Sequence, residues 1–173
     1  MKLQEIVLTE SIRELSWNFN PDIGWWEDTI PLVLYHGTHI DNVQAISQSK
    51  LVPPESGYTA GWVSLALEPN TAFGYASMGG GESTFRSSPR PKHVPDNERA
   101  VLVYSFPGGS DEVRSMGMGP LRGSVAEQRD KLLNEDRYWR AKEEGTPDHV
   151  YYALAELRLP EVDSRYLIGY MRK

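Results

Sequence analysis

The sequence predicts an α+β domain. Three observations carry that reading. Short apolar runs rich in β-branched and aromatic residues stop at glycine or proline, and apolar residues recur at helical spacing between them. With 173 residues and 39% hydrophobic content, the chain can bury one sizeable core but is too short for two ordinary domains, so residues 1–173 are taken as a single domain.

From the start of the chain, Leu3, Ile6, Val7, Ile12 and Leu15 fall at roughly helical spacing, which predicts an amphipathic helix over Lys2 to Leu15. The turn chemistry of Asn18, Asn20 and Pro21 ends it. Trp17 to Trp26 reads as an aromatic entry loop, with Trp25 and Trp26 either packed on the core or turned to a substrate. Leu32-Val33-Leu34-Tyr35-His36 has strand character and is halted by Gly37. Ile40, Val43 and Ile46, three apart, predict a helix over Asp41 to Gln48 that finishes before Pro53-Pro54.

Gly61 to Leu67 reads as a second strand, and Glu68-Pro69-Asn70 opens a helix from Thr71 to about Met78. Glu82 to Arg99 is rich in serine, proline and charge with almost no apolar residue, and is expected to be a mobile surface loop. Ala100 to Phe106 is the clearest strand, ended by Pro107-Gly108-Gly109. Val125 to Glu144 carries Leu132, Leu133, Tyr138 and Trp139 among mixed charges and reads as an exposed helix. His149 to Leu159 and Arg165 to Met171 are two strands joined by a turn at Pro160 to Ser164.

Composition removes several classes of function. The net charge of -6 opposes nucleic acid, which disfavours a dedicated nucleic-acid binder while leaving room for an anionic substrate in a local positive pocket. Arg86, Arg90, Lys92, His93 and Arg99 form the one locally basic stretch, either a solvated loop or a contact for phosphate. The absence of cysteine excludes disulfides, thiolate nucleophiles and cysteine-bound zinc. His39, His93 and His149 lack metal-pair spacing, and no metal site is expected. The first residues do not read as a secretory signal and no run approaches a membrane span, so a cytoplasmic protein without membrane contact is expected.

Chemistry concentrates between Leu32 and Ala76. A strand delivers His36 at its end, and Gly37, lacking a Cβ, would let a ligand reach the backbone N–H and C=O; a flat amide such as nicotinamide suits that grip. Thr38 adds a hydroxyl that can start the next helix. Ser64 leaves the second strand, and Ala72 and Ala76 flank Tyr75 with small residues, giving its ring room to stack on a planar ligand. Each also has a plainer reading: His36 as a backbone-satisfied strand histidine, Tyr75 as a core aromatic.

Tyr35-His36-Gly37-Thr38, then Gly61-Trp62-Val63-Ser64-Leu65, then Ala72-Phe73-Gly74-Tyr75-Ala76 resemble the NAD-binding half of the ADP-ribosyltransferases of diphtheria-toxin and poly(ADP-ribose) polymerase type. The segment Ser64 to Pro69 is also similar to the bacterial rifamycin ADP-ribosyltransferases. The resemblance implies two small, mostly antiparallel sheets enclosing an NAD cleft. It implies that His36 holds the adenosine-side ribose, that Gly37 holds the nicotinamide carboxamide through its backbone with a further hydrogen bond from Ser64, that Thr38 belongs to the same NAD-binding set, and that Tyr75 stacks on the nicotinamide ring. The family's second-strand aromatic falls at Val63 or its neighbour Trp62.

The family's catalytic carboxylate, which stabilises the oxocarbenium-like charge formed as nicotinamide leaves, falls at Asp148, with Glu156 as competitor and Glu161 third. Plainer readings are a turn residue for Asp148 and a solvent-facing strand carboxylate for Glu156. The activity implied is NAD-dependent mono-ADP-ribosyl transfer to an acceptor, most simply a protein, with NAD as co-substrate. Alternatives are an NAD glycohydrolase, an RNA 2'-phosphotransferase-like enzyme using Arg86, Arg90 and His93, and a non-catalytic module that binds ADP-ribose or a protein. Acceptor choice would lie in the loops Trp17 to Trp26, Glu82 to Arg99 and Asp111 to Gly123.

Overall fold

The apolar run beginning at Leu32 extends further than its hydrophobic residues, because its backbone finds a continuous partner. The computed structural model describes residues 11–17, 29–55, 60–77, 93–119, 143–144 and 157–173. Their elements, in chain order, are β1 (Glu14–Leu15), β2 (Leu32–His39), α1 (Val43–Ser47), β3 (Lys50–Leu51), β4 (Val63–Leu65), α2 (Pro69–Ala76), β5 (Arg99–Phe106), α3 (Gly109–Ser115), β6 (Leu157–Leu159), β7 (Val162–Asp163) and β8 (Leu167–Met171). The class is α+β, with a four-stranded sheet ordered β1-β8-β5-β2 and two-stranded sheets β3-β7 and β4-β6.

β2 and β5 are antiparallel along their whole length, from Leu32 opposite Phe106 to His39 opposite Arg99. Side chains alternate across a strand. One face of the pair therefore presents Leu32, Leu34, Leu102, Tyr104 and Phe106 to the main core, where they meet Val43 and Ile46 of α1, Val63 and Leu65 of β4, and Leu157 and Leu159 of β6. The other face presents Val33, Tyr35, Val101 and Val103 to Ala72 and Phe73 of α2. Covered on both faces, β5 can be apolar at nearly every position, which is why it is the clearest strand in the sequence.

Several expectations change. The helix expected through Leu15 does not reach that far: Glu14–Leu15 is a strand parallel to β8, and the Tyr170 N–H donates to the Arg13 carbonyl at 3.0 Å. Pairing with the outer edge of β8 outweighs helical spacing there, and Gly169 permits it, since a Cβ at that position would stand 2.7 Å from Leu15 Cγ. The remainder of that predicted helix lies outside the described residues. The turn at Pro160 to Ser164 contains β7, which pairs with β3.

The loop expected over Asp111 to Gly123 begins with α3. Its Gly-Ser-Asp-Glu-Val-Arg-Ser sequence buries one large apolar residue, Val113, too little to display a helical period. Of the loop expected over Glu82 to Arg99, residues 93–99 are described. In them Val94 N–H donates to Ser77 O at 2.8 Å, a 3-10 turn covers Asp96–Glu98, and Arg99 belongs to β5. Residues 82–92 of that loop, the helix expected over Val125 to Glu144 apart from 143–144, and Trp25 and Trp26 lie outside the described residues. Among the described residues no helix is long and apolar enough to cross a membrane, and no group of side chains could hold a metal ion.

α2 lies close on β2. A Cβ on Gly37 would stand 1.8 Å from the Ala72 carbonyl oxygen and 2.8 Å from the Ala76 nitrogen. Both contacts are rigid backbone, so Gly37→Ala should cost at least about 2 kcal/mol in urea denaturation. Wild-type stability in that variant would show that the helix does not need this approach.

Candidate functional site

The site begins at the edge of β2 that β5 does not use. Tyr35 exchanges both backbone hydrogen bonds with Ala66, each at 2.8 Å, so Tyr35 points its N–H and C=O away from β5. By the alternation of a strand, Gly37 points its own N–H and C=O to the same side, while His36 and Thr38 bond to β5. The Tyr35–Ala66 bridge is isolated. One step beyond it the carbonyl of Ser64 accepts from His36 Nδ1 at 2.9 Å, and the strands part. Because a carbonyl can only accept, the proton sits on Nδ1, which orients the ring.

The helix over this edge is fixed by its cap. Glu68, 7% exposed, accepts from the backbone N–H groups of Asn70 and Thr71, each at 2.8 Å, and from both their side chains. Pro69 follows at the first helical position, where its missing N–H costs nothing. α2 then buries Ala72, Phe73 and Ala76 and leaves Gly74 and Tyr75 outward, with Tyr75 39% exposed and open space around Gly74. The Ala76 nitrogen lies over Gly37, and Tyr75, the residue before it, is exposed on α2.

This arrangement corrects parts of the sequence reading. The space left by the missing Cβ of Gly37 is filled by α2, not by a ligand; what Gly37 offers is its edge-facing backbone. Ala72 and Ala76 serve the same close approach rather than clearing room for Tyr75. Thr38 is fully buried and accepts from Asn42 Nδ2 at 3.3 Å; the turn that follows is capped by His39, which accepts from the Asp41 N–H. Val63 is buried in the main core, whereas Trp62, one residue earlier, shares the face of Ser64, its ring edge against Gly119.

Of the candidate acids, Asp148 and Glu156 lie outside the described residues, as do Arg86, Arg90 and Lys92. Glu161 is engaged by Lys50 Nζ at 2.7 Å. His93 is exposed as expected, but Arg99 is buried in β5: its guanidinium meets His93 Nε2 at 3.2 Å and Asp96 at 3.1 Å and lies 5.0 Å from the Phe73 ring centre. The structure sets His36 against the Ser64 carbonyl and the Ala76 nitrogen of α2 over Gly37, leaves Tyr75 exposed on α2, and buries one residue the sequence reading passed over. Arg158 of β6 stands opposite Ser64 and is 4% exposed. Leu157-Arg158-Leu159 reads as a strand with a solvent-facing arginine, and only the pairing of β6 with β4 shows otherwise.

Burial raises the Tyr35 phenol above its ordinary value, and the Glu68 carboxylate pushes it in the same direction. Below about pH 10 both folded and unfolded chains keep that proton; above it the unfolded chain loses it first, so stability falls as pH rises. The melting temperature of the wild type should therefore drop more steeply above about pH 10 than that of Tyr35→Phe. Matching slopes would remove this role from Tyr35. Glu68→Ala should lose about 1–2 kcal/mol in urea denaturation by orphaning the first N–H groups of α2, and Glu68→Gln less. An unchanged Glu68→Ala would show that the cap does not hold the helix.

No family model matches the chain, and neither a curated protein nor a solved structure matches it.

Proposed function

We propose that the chain binds NAD and transfers its ADP-ribose to an acceptor, as a mono-ADP-ribosyltransferase. The observation that carries this reading is the edge of β2 at Gly37. There the strand edge turned away from β5, with no backbone partner among the described residues, offers one N–H and one C=O, the complement of a primary carboxamide. Ser64 flanks that edge from β4 and the half-exposed ring of Tyr75 from α2. A planar aromatic amide, as in nicotinamide, satisfies all three at once: the amide on the backbone, a further hydrogen bond from Ser64 and the ring against Tyr75.

In this reading His36, oriented by the Ser64 carbonyl, receives the adenosine-side ribose hydroxyls. The bond between the ribose C1' and the pyridinium nitrogen breaks with its electron pair leaving on nicotinamide, which departs neutral. Positive charge spreads over C1' and the ring oxygen, where Asp148 or Glu156 supplies a fixed negative partner. An acceptor nucleophile, proposed to be on a protein met in the cytoplasm, then bonds to C1' and gives up its proton. Water in that place would make the chain an NAD glycohydrolase.

The test uses NAD labelled in its adenine half, incubated with the purified chain and a cell lysate. Nicotinamide release with label on an acceptor is expected, and His36→Ala and Tyr75→Ala should each lower release at least about tenfold. Release without transfer identifies the hydrolase. Binding of NAD without release identifies a non-catalytic module, and neither binding nor release overturns the reading.

A further inference from the structure

The sheet register gathers residues far apart in the chain at one corner of the domain. In the parallel pair of β1 and β8, Glu14 lies opposite Tyr170 and Leu15 opposite Met171. Continued two residues further, the same register sets Trp17 beside Lys173. In the antiparallel pair of β5 and β8, Val101 lies opposite Met171, so an equal step sets Arg99 beside Lys173. Leu15, Val101 and Met171 belong to the cluster that faces α2, and side chains two residues apart on a strand share a face. Trp17, Lys173 and Arg99 therefore form a row turned toward that helix, where Phe73 meets them.

At Phe73 a cation is held by aromatic faces. The rings of Trp17 and Phe73 stand 5.6 Å apart at 79°. The Lys173 ammonium lies 5.0 Å from the centre of the first and 4.8 Å from the centre of the second, in the corner they make. Each ring attracts it through its quadrupole. Asp96, 3.1 Å from the Arg99 guanidinium, offsets the repulsion that Arg99 would exert on a second cation at the same ring. Arg99 is buried, whereas Lys173 is exposed, so reagents in solution reach its amine. Lys50, by contrast, sets its charge against the Glu161 carboxylate at 2.7 Å. At Lys173 the charge itself joins the end of β1 to α2.

We infer that Lys173 is a charge-dependent clasp between β1 and α2 that acylation of its amine opens. With an acyl thioester as donor, the amine nitrogen bonds to the acyl carbon and the carbon–sulfur bond breaks. One N–H proton goes to the departing thiolate and another to water. The product is a neutral amide, bulkier than the ammonium and without the charge that the rings attract. β1, joined to β8 by a short ladder, then loses its hold on α2 while the long pairing of β2 with β5 stays intact. The clasp does not depend on the nicotinamide reading.

The experiment follows backbone amide hydrogen exchange in the full chain by NMR. It compares wild type, Lys173→Met, Lys173→Arg and a chain translated with Nε-acetyl-lysine at position 173. The Tyr170 amide, which donates to the Arg13 carbonyl, reports on β1, and the Tyr35 amide, which donates to the Ala66 carbonyl, reports on the interior of the sheet. Lys173→Met and the acetylated chain should each speed exchange at Tyr170 about fivefold or more and leave Tyr35 within about twofold of wild type. Lys173→Arg, which keeps a cation, should stay within about twofold at both amides. On a Trp17→Leu background, Lys173→Met should lose at least about half of its effect, because one of its rings is already gone. The two neutral forms are independent, so if one fails to fold the other still decides. Unchanged Tyr170 exchange in both overturns the clasp. Equal acceleration by Lys173→Arg and Lys173→Met also overturns it, since charge would then not be what holds the corner, and so does equal acceleration at Tyr170 and Tyr35.

Discussion

The contact between Gly37 and the backbone of α2 is the constraint on which the rest of the site depends. A helix normally rests on a sheet through side chains, which keep the two backbones well apart. Here the carbonyl of Ala72 and the nitrogen of Ala76 occupy the volume where any other residue at position 37 would place its Cβ. The approach needs glycine in the strand and small residues in the helix together. The contact that packs α2 on β2 thus also sets the height of the helix that carries Tyr75.

The buried face of α2 is held by more than the sheet. Phe73 meets Trp17 edge to face at 5.6 Å, and the Arg99 guanidinium and the Lys173 ammonium lie 5.0 and 4.8 Å from its ring centre. Cations over an aromatic face are attracted by its quadrupole. With Glu68 capping the first turn, α2 is fixed at its start and along its buried face. A short helix has little intrinsic stability, so these tertiary contacts keep it formed.

The parting of β2 from β4 is the second determinant. The two strands share a single backbone bridge at Tyr35 and Ala66, after which His36 turns its ring to the Ser64 carbonyl. A side chain thus takes the place of the next ladder hydrogen bond. That substitution satisfies the Ser64 carbonyl on the β2 side, and among the described residues no backbone partner meets Gly37 there. β4 meanwhile pairs with β6 on its far side, which sets Arg158 opposite Ser64. The proposed amide contact follows from where the β2 ladder to β4 stops.

The residues by themselves determined the parts of this protein that depend on local pattern. β5 was legible because seven consecutive strand-forming residues, Ala100 to Phe106, need no partner to be recognised, and α2 because Glu68 and Pro69 announce its first turn. The motif around His36 and Gly37 marked the site because histidine, glycine and threonine at a strand end are an unusual combination. Tertiary structure decided what pairs with what. Leu15 carries a helical pattern and became a strand because the edge of β8 needed a partner. Val162 reads as turn and pairs with β3, and Gly37 turned out to accommodate a helix. Arg158 is buried opposite Ser64 only because β6 pairs with β4. These outcomes rest on contacts between residues far apart in the chain, and the free energy of a backbone pair or a close approach is written in neither partner alone.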